Sequence, residues 1–242
     1  MSSFLHLGLG FVSGLFGSGG PQLWTPAQIS PYAWYQPGDL LTDTSGNNRN
    51  FVAVGGVIQG PTFISLDGID GGLSIESGFN LDLTYYIVWR LGDHNPSQPN
   101  GRNQLLDSST SSNGMVVRRS SPTTAQITGR GGSFITATYP MADQEIMLFQ
   151  MQSVSGNRAT YKNGVLERSD NNPLNNLTIG LEVGRTGGGH SNHAELDLYE
   201  MVIVEGAQPV DIRQNIEGYL LWNNGFQDLL PIDHPYKDSP PS

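Results

Sequence analysis

An all-β sandwich is the fold that three features of this chain predict. Short runs of β-branched and aromatic residues recur along its length, each bounded by Gly, Pro, Asn or Asp. A total of 31 Gly and 15 Pro supplies the many turns such a fold needs. Tyr161-Lys-Asn-Gly-Val-Leu166 sets Asn163-Gly164, the two positive-φ residues of a type I′ turn, between two strand-forming runs. The 242 residues show no composition break near the middle, so one sandwich accounts for them better than two small domains.

In chain order, Trp24-Thr-Pro-Ala-Gln28 and Ser30-Pro-Tyr-Ala-Trp34 lead into the polar turn Asp43-Thr-Ser-Gly-Asn-Asn48. Strands are expected at Phe51–Ile58, Phe63–Leu66, Leu73–Ile75 and Leu83–Leu91, and again at Met115–Arg118, Ala125–Thr128, Phe134–Thr138 and Glu145–Met151. The Asn-Gly hairpin follows, and Leu177–Val183 and Glu195–Val204 complete the set. One short segment has helical spacing. Pro209 can occupy its first turn, Ile212, Ile216, Tyr219 and Leu220 recur on one face, and Gly225 can end it. Pro231, Pro235, Pro240 and Pro241 predict an extended C-terminal tail beyond Leu230.

The formal charge of -10, with only 12 Lys and Arg, leaves no basic stripe to neutralise phosphates, so nucleic acid is not an expected partner. Neutral or hydroxyl-rich ligands fit this balance better. The absence of Cys excludes a disulfide framework and a thiol nucleophile. Phe4 to Phe16 is apolar but broken by Gly8, Gly10 and Gly14, with no Lys or Arg ahead of it. Its length and flanks argue against a membrane span and against a secretory signal. Residues 1–20 therefore read as an apolar, Gly-rich extension ending in the hinge Gly17–Gly20, and residues 21–242 as the sandwich domain. The extension either packs on its own domain or a neighbouring subunit, or anchors the domain in a larger assembly.

Taken in order, Asp43-Thr-Ser-Gly-Asn47, Ile64-Ser-Leu-Asp-Gly68 with Gly72-Leu-Ser-Ile75, the hairpin Tyr161 to Leu166, Leu177-Thr-Ile-Gly180 and Leu198-Tyr-Glu-Met-Val-Ile-Val204 form a set of landmarks. Ile216-Glu-Gly-Tyr-Leu-Leu-Trp222 and Leu230-Pro-Ile-Asp-His-Pro-Tyr236 close it. From about Trp24 to Pro241 the chain resembles the laminin G-like branch of the concanavalin A-like lectin and glucanase superfamily, as found in phage virion and bacterial surface proteins. The resemblance implies a two-sheet antiparallel jelly roll whose curved face and rim loops bind glycans or partner proteins. One departure stands out: Trp222-Asn-Asn-Gly225 replaces the Trp-Lys-Trp-Gly-like run usual after the helix.

Glu195-Leu-Asp-Leu-Tyr-Glu200 is the one catalytic candidate, since it resembles the Glu-x-Asp-x-x-Glu strand of laminarinase-type β-glucanases. Glu195 and Asp197 share a sheet face, and a bulge between Asp197 and Glu200 would bring the third carboxylate onto it. By that resemblance Glu195 is the nucleophile and Glu200 the acid/base of a retaining glycosidase, an alternative to a solvated face of an alternating strand. The aromatic platform expected ahead of the carboxylates is absent, the stretch being Gly187-Gly-Gly-His-Ser-Asn192.

Binding candidates are polar loop residues: Asp93 and His94, Arg102 in Asn100-Gly-Arg102, and Arg185, His190 and His193 around the glycine-rich loop. No cofactor is expected. The Asp93 loop could hold Ca²⁺, and His190 and His193 with Glu195 and Asp197 carry metal-ligating groups that a polar loop equally explains. Trp34, Trp89 and Trp222 lie in apolar patterns and read as core.

The expectation is a non-enzymatic structural or adhesion protein of a virion or cell surface, binding a glycan or surface protein, with other virion proteins engaged through the N-terminal extension. An apolar leader is better hidden between copies than left in water, so a homo-oligomer is expected. Light scattering of the full chain should give a mass above one copy, falling on deletion of residues 1–20. A mass of one copy at all concentrations would contradict this.

Overall fold

The computed structural model describes residues 22–79, 82–97, 103–108, 115–129, 137–154, 157–170, 179–186 and 190–242. Its strands in chain order are β1 Ala33–Tyr35, β2 Val52–Val54, β3 Val57–Gln59, β4 Ile64–Asp67, β5 Gly72–Phe79, β6 Leu83–Leu91, β7 Asn103–Ser108, β8 Met115–Ser121 and β9 Thr124–Gly129. They continue as β10 Ala137–Pro140, β11 Ile146–Val154, β12 Asn157–Lys162, β13 Val165–Asp170, β14 Ile179–Val183, β15 Arg185–Thr186, β16 His190–His193 and β17 Glu195–Glu205, followed by helix α1 Val210–Asn223.

Two antiparallel sheets result, as expected of an all-β sandwich. One has the order β13-β12-β11-β6-β17-β4-β3, with β1 beside the far half of β17, and the other has the order β10-β9-β8-β7-β14-β5-β2. The cores follow from the side-chain alternation of the strands. Tyr85, Ile87 and Trp89 of β6, with Leu196, Leu198, Met201 and Ile203 of β17, point inward. They meet Leu73, Leu106, Val117 and Leu181 of the opposing sheet. Trp89 lies against Phe149, ring centroids 5.3 Å apart and nearly parallel. The opposite face of the first sheet is also covered: Tyr86, Val88, Leu148, Val202 and Val204 pack under Ile216, Leu220 and Leu221 of α1. Burial on both faces is why Leu83–Leu91 reads as a nearly continuous apolar run rather than an alternating one.

Several elements differ from expectation. Phe51–Ile58 is two strands in two different sheets. Gly55 has φ 66°, a left-handed conformation that turns the chain from β2 to β3. Ala33–Tyr35 and Asn103–Ser108 are strands that the sequence did not announce. Of Phe134–Thr138 and Leu177–Val183, residues 134–136 and 177–178 lie outside the described residues. The tail beyond Leu230 is folded into turns rather than extended. His234 N–H donates to Pro231 O at 3.0 Å and Lys237 N–H to His234 O at 3.0 Å, with Pro235 preset for the second turn. The turns end where Trp24 N–H donates to Pro241 O at 3.0 Å, joining the two ends of the domain.

The Asn163-Gly164 hairpin is present, with φ 52° and 83°. It is also a packing joint: Leu148 N–H donates to the Asn163 side chain at 2.9 Å, and the Asn163 N–H returns the bond to Leu148 O at 2.9 Å. A Cβ on Gly164 would sit 3.1 Å from Glu217 Oε2, a carboxylate fully buried between Arg213 at 2.6 Å and His234 at 3.2 Å. Gly164→Ala should therefore cost about 2 kcal/mol from the left-handed backbone and the displaced carboxylate. That corresponds to a midpoint lowered by roughly 4–8 °C in thermal unfolding, and an unchanged midpoint would count against the tight approach.

Candidate functional site

The expected bulge in β17 exists. Leu198 pairs with Trp89 of β6 and Glu200 with the adjacent Val88, so Tyr199 is the extra residue. It wedges between Phe63 and Phe226, at 5.6 Å and 5.1 Å between centroids. The slip puts Glu200 on the same outer face as Glu195 and Asp197, yet the three carboxylates have separate surroundings.

Glu195 is exposed at the start of the strand. Asp197 is nearly buried between its cross-strand partners, accepting from Ser65 Oγ and lying 2.5 Å from Arg90 Nη2. Glu200 is sealed under the C-terminal end of α1 with no solvent exposure. Its Oε1 accepts from Trp34 Nε1 at 2.9 Å, and its Oε2 accepts from Asn223 Nδ2 and Asn224 Nδ2, both at 2.8 Å. The pair that departs from the Trp-Lys-Trp-Gly-like run is thus the pair that holds this carboxyl.

Burial pushes the Glu200 carboxyl up to about 7 from an ordinary 4.5, and the three N–H donors pull back part of that rise. What the three-carboxylate arrangement can do is correspondingly split: one solvent-facing group, one ion pair and one enclosed acid.

The binding candidates cluster at the end of the sandwich where β17 begins. Gly92 N–H donates to Glu195 O at 2.8 Å, and the buried Arg119 donates to Gly92 O at 2.7 Å and Pro122 O at 2.8 Å while pairing with Asp143. Asp143 accepts from the His94 N–H at 2.8 Å, and Asp93 accepts from Gln144 at 2.8 Å. Asp93 is therefore exposed but tethered. Burial works against the charge of Asp143, but the Arg119 and His94 donors outweigh it and hold the carboxyl below its usual range.

On the adjoining edge Arg185 and His193 are cross-strand partners in the β15–β16 hairpin, and Arg185 lies 3.3 Å from Glu182. His193 is 3.3 Å from Gly71 O, in the loop that Asp67 organises by accepting from the N–H groups of Ile69, Asp70 and Gly71. His190 faces Thr186 in the hairpin register, its side chain lying outside the described set, as does all of Arg102. Among the described residues no three His, Asp or Glu side chains converge as metal ligands.

Two cavities lie away from this rim. One, about 300 Å³, is bounded by Leu23, Trp24, Tyr219, Trp222 and the Pro240-Pro241 pair. Trp222, expected in the core, is only half-buried and donates its Nε1–H to Tyr236 O at 2.8 Å, whereas Trp34 and Trp89 are buried. The other, about 380 Å³ and polar, includes Tyr32, Asn47, Arg49 and Glu205. Sequence reading missed it because its walls come from chain segments more than 150 residues apart, and Asp43 to Asn48 registered only as a turn.

No protein-family model matches the chain, and no curated protein matches it. Solved structures do. The binding domain of botulinum neurotoxin DC, in complex with rat synaptotagmin II, aligns at TM-score 0.62 and 15% identity over 84% of this chain and 52% of that one. The serotype D ligand binding domain with N-acetylneuraminic acid gives 0.60 and 14% over 79% and 52%, and the type G receptor binding domain 0.59 and 11% over 76% and 52%. The chain spans about half the length of these domains, and at such identity the likeness shows the fold. Among the described residues no helix is long and apolar enough to cross a membrane.

The Glu200 node generates a pH prediction. A carboxyl raised from 4.5 to about 7 by folding contributes stability that is fully present below 4.5 and lost as pH rises through about 7. The loss is of the order of 3 kcal/mol. Urea midpoints of the wild type should fall across this window relative to Glu200→Gln, whose own profile should be flatter. Parallel profiles for the two proteins would contradict a buried titrating carboxyl.

Proposed function

We propose that this protein is a non-enzymatic binding module, a jelly roll of concanavalin A-like, laminin G-like type carried on a virion or cell surface, that engages a glycan or surface protein through the rim at the start of β17. The observation that carries this reading is the rim itself. Loops held from behind by Arg119, Asp143 and Asp67 carry the exposed Asp93 and, half-buried beside it, His94, Arg185 and His193 around the Glu195 end of the strand. Polar groups fixed by buried anchors are preorganised, which lowers the entropic cost of binding. The likeness to binding domains solved in complex with N-acetylneuraminic acid or with rat synaptotagmin II supports the same coarse role. Residues 1–20 dock the domain to its assembly and to further copies of the chain, and no cofactor takes part.

The glycoside hydrolase alternative would rest on Glu195, Asp197 and Glu200, and the enclosure of Glu200 beneath α1 leaves it no route to a sugar ring. Binding of the labelled full chain to a glycan and cell-surface panel decides between the two. The expected result is retention that survives EDTA, falls about tenfold in an Arg185→Ala, His193→Ala double variant, and is accompanied by no release of reducing ends. EDTA sensitivity reversed by Ca²⁺ would put an ion in the Asp93 loop. Polysaccharide cleavage abolished by Glu195→Gln would replace the binding reading with the enzyme.

A further inference from the structure

At the opposite end of β17, ten residue steps and roughly 30 Å from the rim, the polar cavity has the attributes of a second site. Its apolar floor is Ile29, Pro31 and Val204. Its polar wall is built on the Asp43 turn. The Asp43 carboxylate accepts from the N–H groups of Trp34, Ser45 and Arg49 at 2.9–3.0 Å, fixing the loop.

Asn47 Nδ2 donates to Pro31 O at 3.2 Å and Tyr32 O at 3.0 Å. The Arg49 guanidinium lies 3.6 Å over the Tyr32 ring and gives one N–H to Tyr32 O at 2.8 Å. Ser30 closes a 3₁₀ turn in a left-handed conformation, φ 49°, rare for a residue with a Cβ.

Asn47 and Arg49 are thus held from behind, with part of their bonding capacity left over. The remaining Arg49 N–H groups, Asn47 Oδ1, the Ser30 hydroxyl, the Glu205 carboxylate and Gln208 Oε1 make no hydrogen bond to the described protein. We infer that this cavity binds a neutral, hydroxyl-rich sugar ring.

The balance of groups selects that chemistry. An anion would gain from Arg49 but be opposed by Glu205 and by the overall charge of -10. A cation would meet Arg49. A ring hydroxyl is donor and acceptor at once, so vicinal hydroxyls can accept from Arg49 while donating to Glu205, Asn47 and Gln208, with the ring's C–H face on the apolar floor. About 380 Å³ lies at the lower end of the range for small-ligand sites and fits one or two rings. This site is independent of the rim, so either can be wrong without the other.

The test is titration of the full chain by saturation-transfer NMR and calorimetry with D-glucose, D-galactose, D-mannose, N-acetylgalactosamine and N-acetylneuraminic acid. At least one neutral sugar should bind, with a dissociation constant of the order of millimolar. Glu205→Gln and Gln208→Ala should each weaken it several-fold, and Arg49→Met about tenfold. The Arg185→Ala, His193→Ala variant should bind it as the wild type does. Arg49→Met removes a guanidinium packed on Tyr32 and could loosen the turn, so the exposed Glu205→Gln, with an unchanged thermal midpoint, is the deciding variant. Three results would overturn the inference: no neutral sugar bound, affinity indifferent to Glu205→Gln, or N-acetylneuraminic acid bound more tightly than every neutral sugar.

Discussion

The Glu200 carboxyl joins three elements that are distant in sequence, β1, β17 and the end of α1. One oxygen is held by Trp34 of β1 and the other by Asn223 and Asn224 at the end of α1, while its own backbone sits in the central strand pair with β6. Removing one of these donors leaves a buried carboxylate oxygen short of a partner, at about 1–3 kcal/mol. The helix could not shift along the sheet without breaking these bonds. The aromatic packing of Trp34 against Tyr219, 5.8 Å between centroids, and of Val202 and Val204 against Leu220 then falls into register around it.

The bulge at Tyr199 makes that node possible. A strand alternates its side chains, so an unbroken β17 with Leu196 and Leu198 in the inner core would also send Glu200 there and Met201 outward. One extra residue reverses the alternation, keeping Met201 and Ile203 in the inner core and turning Glu200 toward the helix. The same spacing of carboxylates that suits a sugar-cleaving strand here serves the attachment of a helix. Spacing along a chain says which face a side chain occupies, and the covering element decides whether that face meets solvent.

Polar side chains gather at the two ends of β17. At the start of the strand, buried Arg119 and the tethered Asp143 and Asp67 stiffen the loops that carry Asp93 and His94 and the loop beside His193. At its far end the Asp43 turn does the equivalent for Asn47 and Arg49. Burial opposes the charge on Asp43, but the Ser45 side chain and the N–H groups of Trp34, Arg49 and Ser45 overcome it and keep the carboxyl below its usual range. Each end therefore pairs a fully bonded carboxylate, which sets loop geometry, with exposed groups that the loop presents.

The amino-acid sequence determined what local physics controls: the strand character of Leu83–Leu91 and Glu195–Val204, the Asn163-Gly164 turn, the helix that follows Pro209, and the net charge of -10. It also read Asp93 and His94 as polar loop residues, whereas Arg185 and His193, read in the same way, lie in the short strands β15 and β16. Tertiary structure alone decided which strands join which sheet, as Gly55 splitting Phe51–Ile58 between the two shows. It likewise decided that Glu200 is enclosed while Glu195 is not, and that Arg49 and Glu205 share a cavity. Those outcomes depend on pairings between residues up to 170 or so positions apart, and a contact at that separation leaves no periodicity in the chain for a local reading to detect.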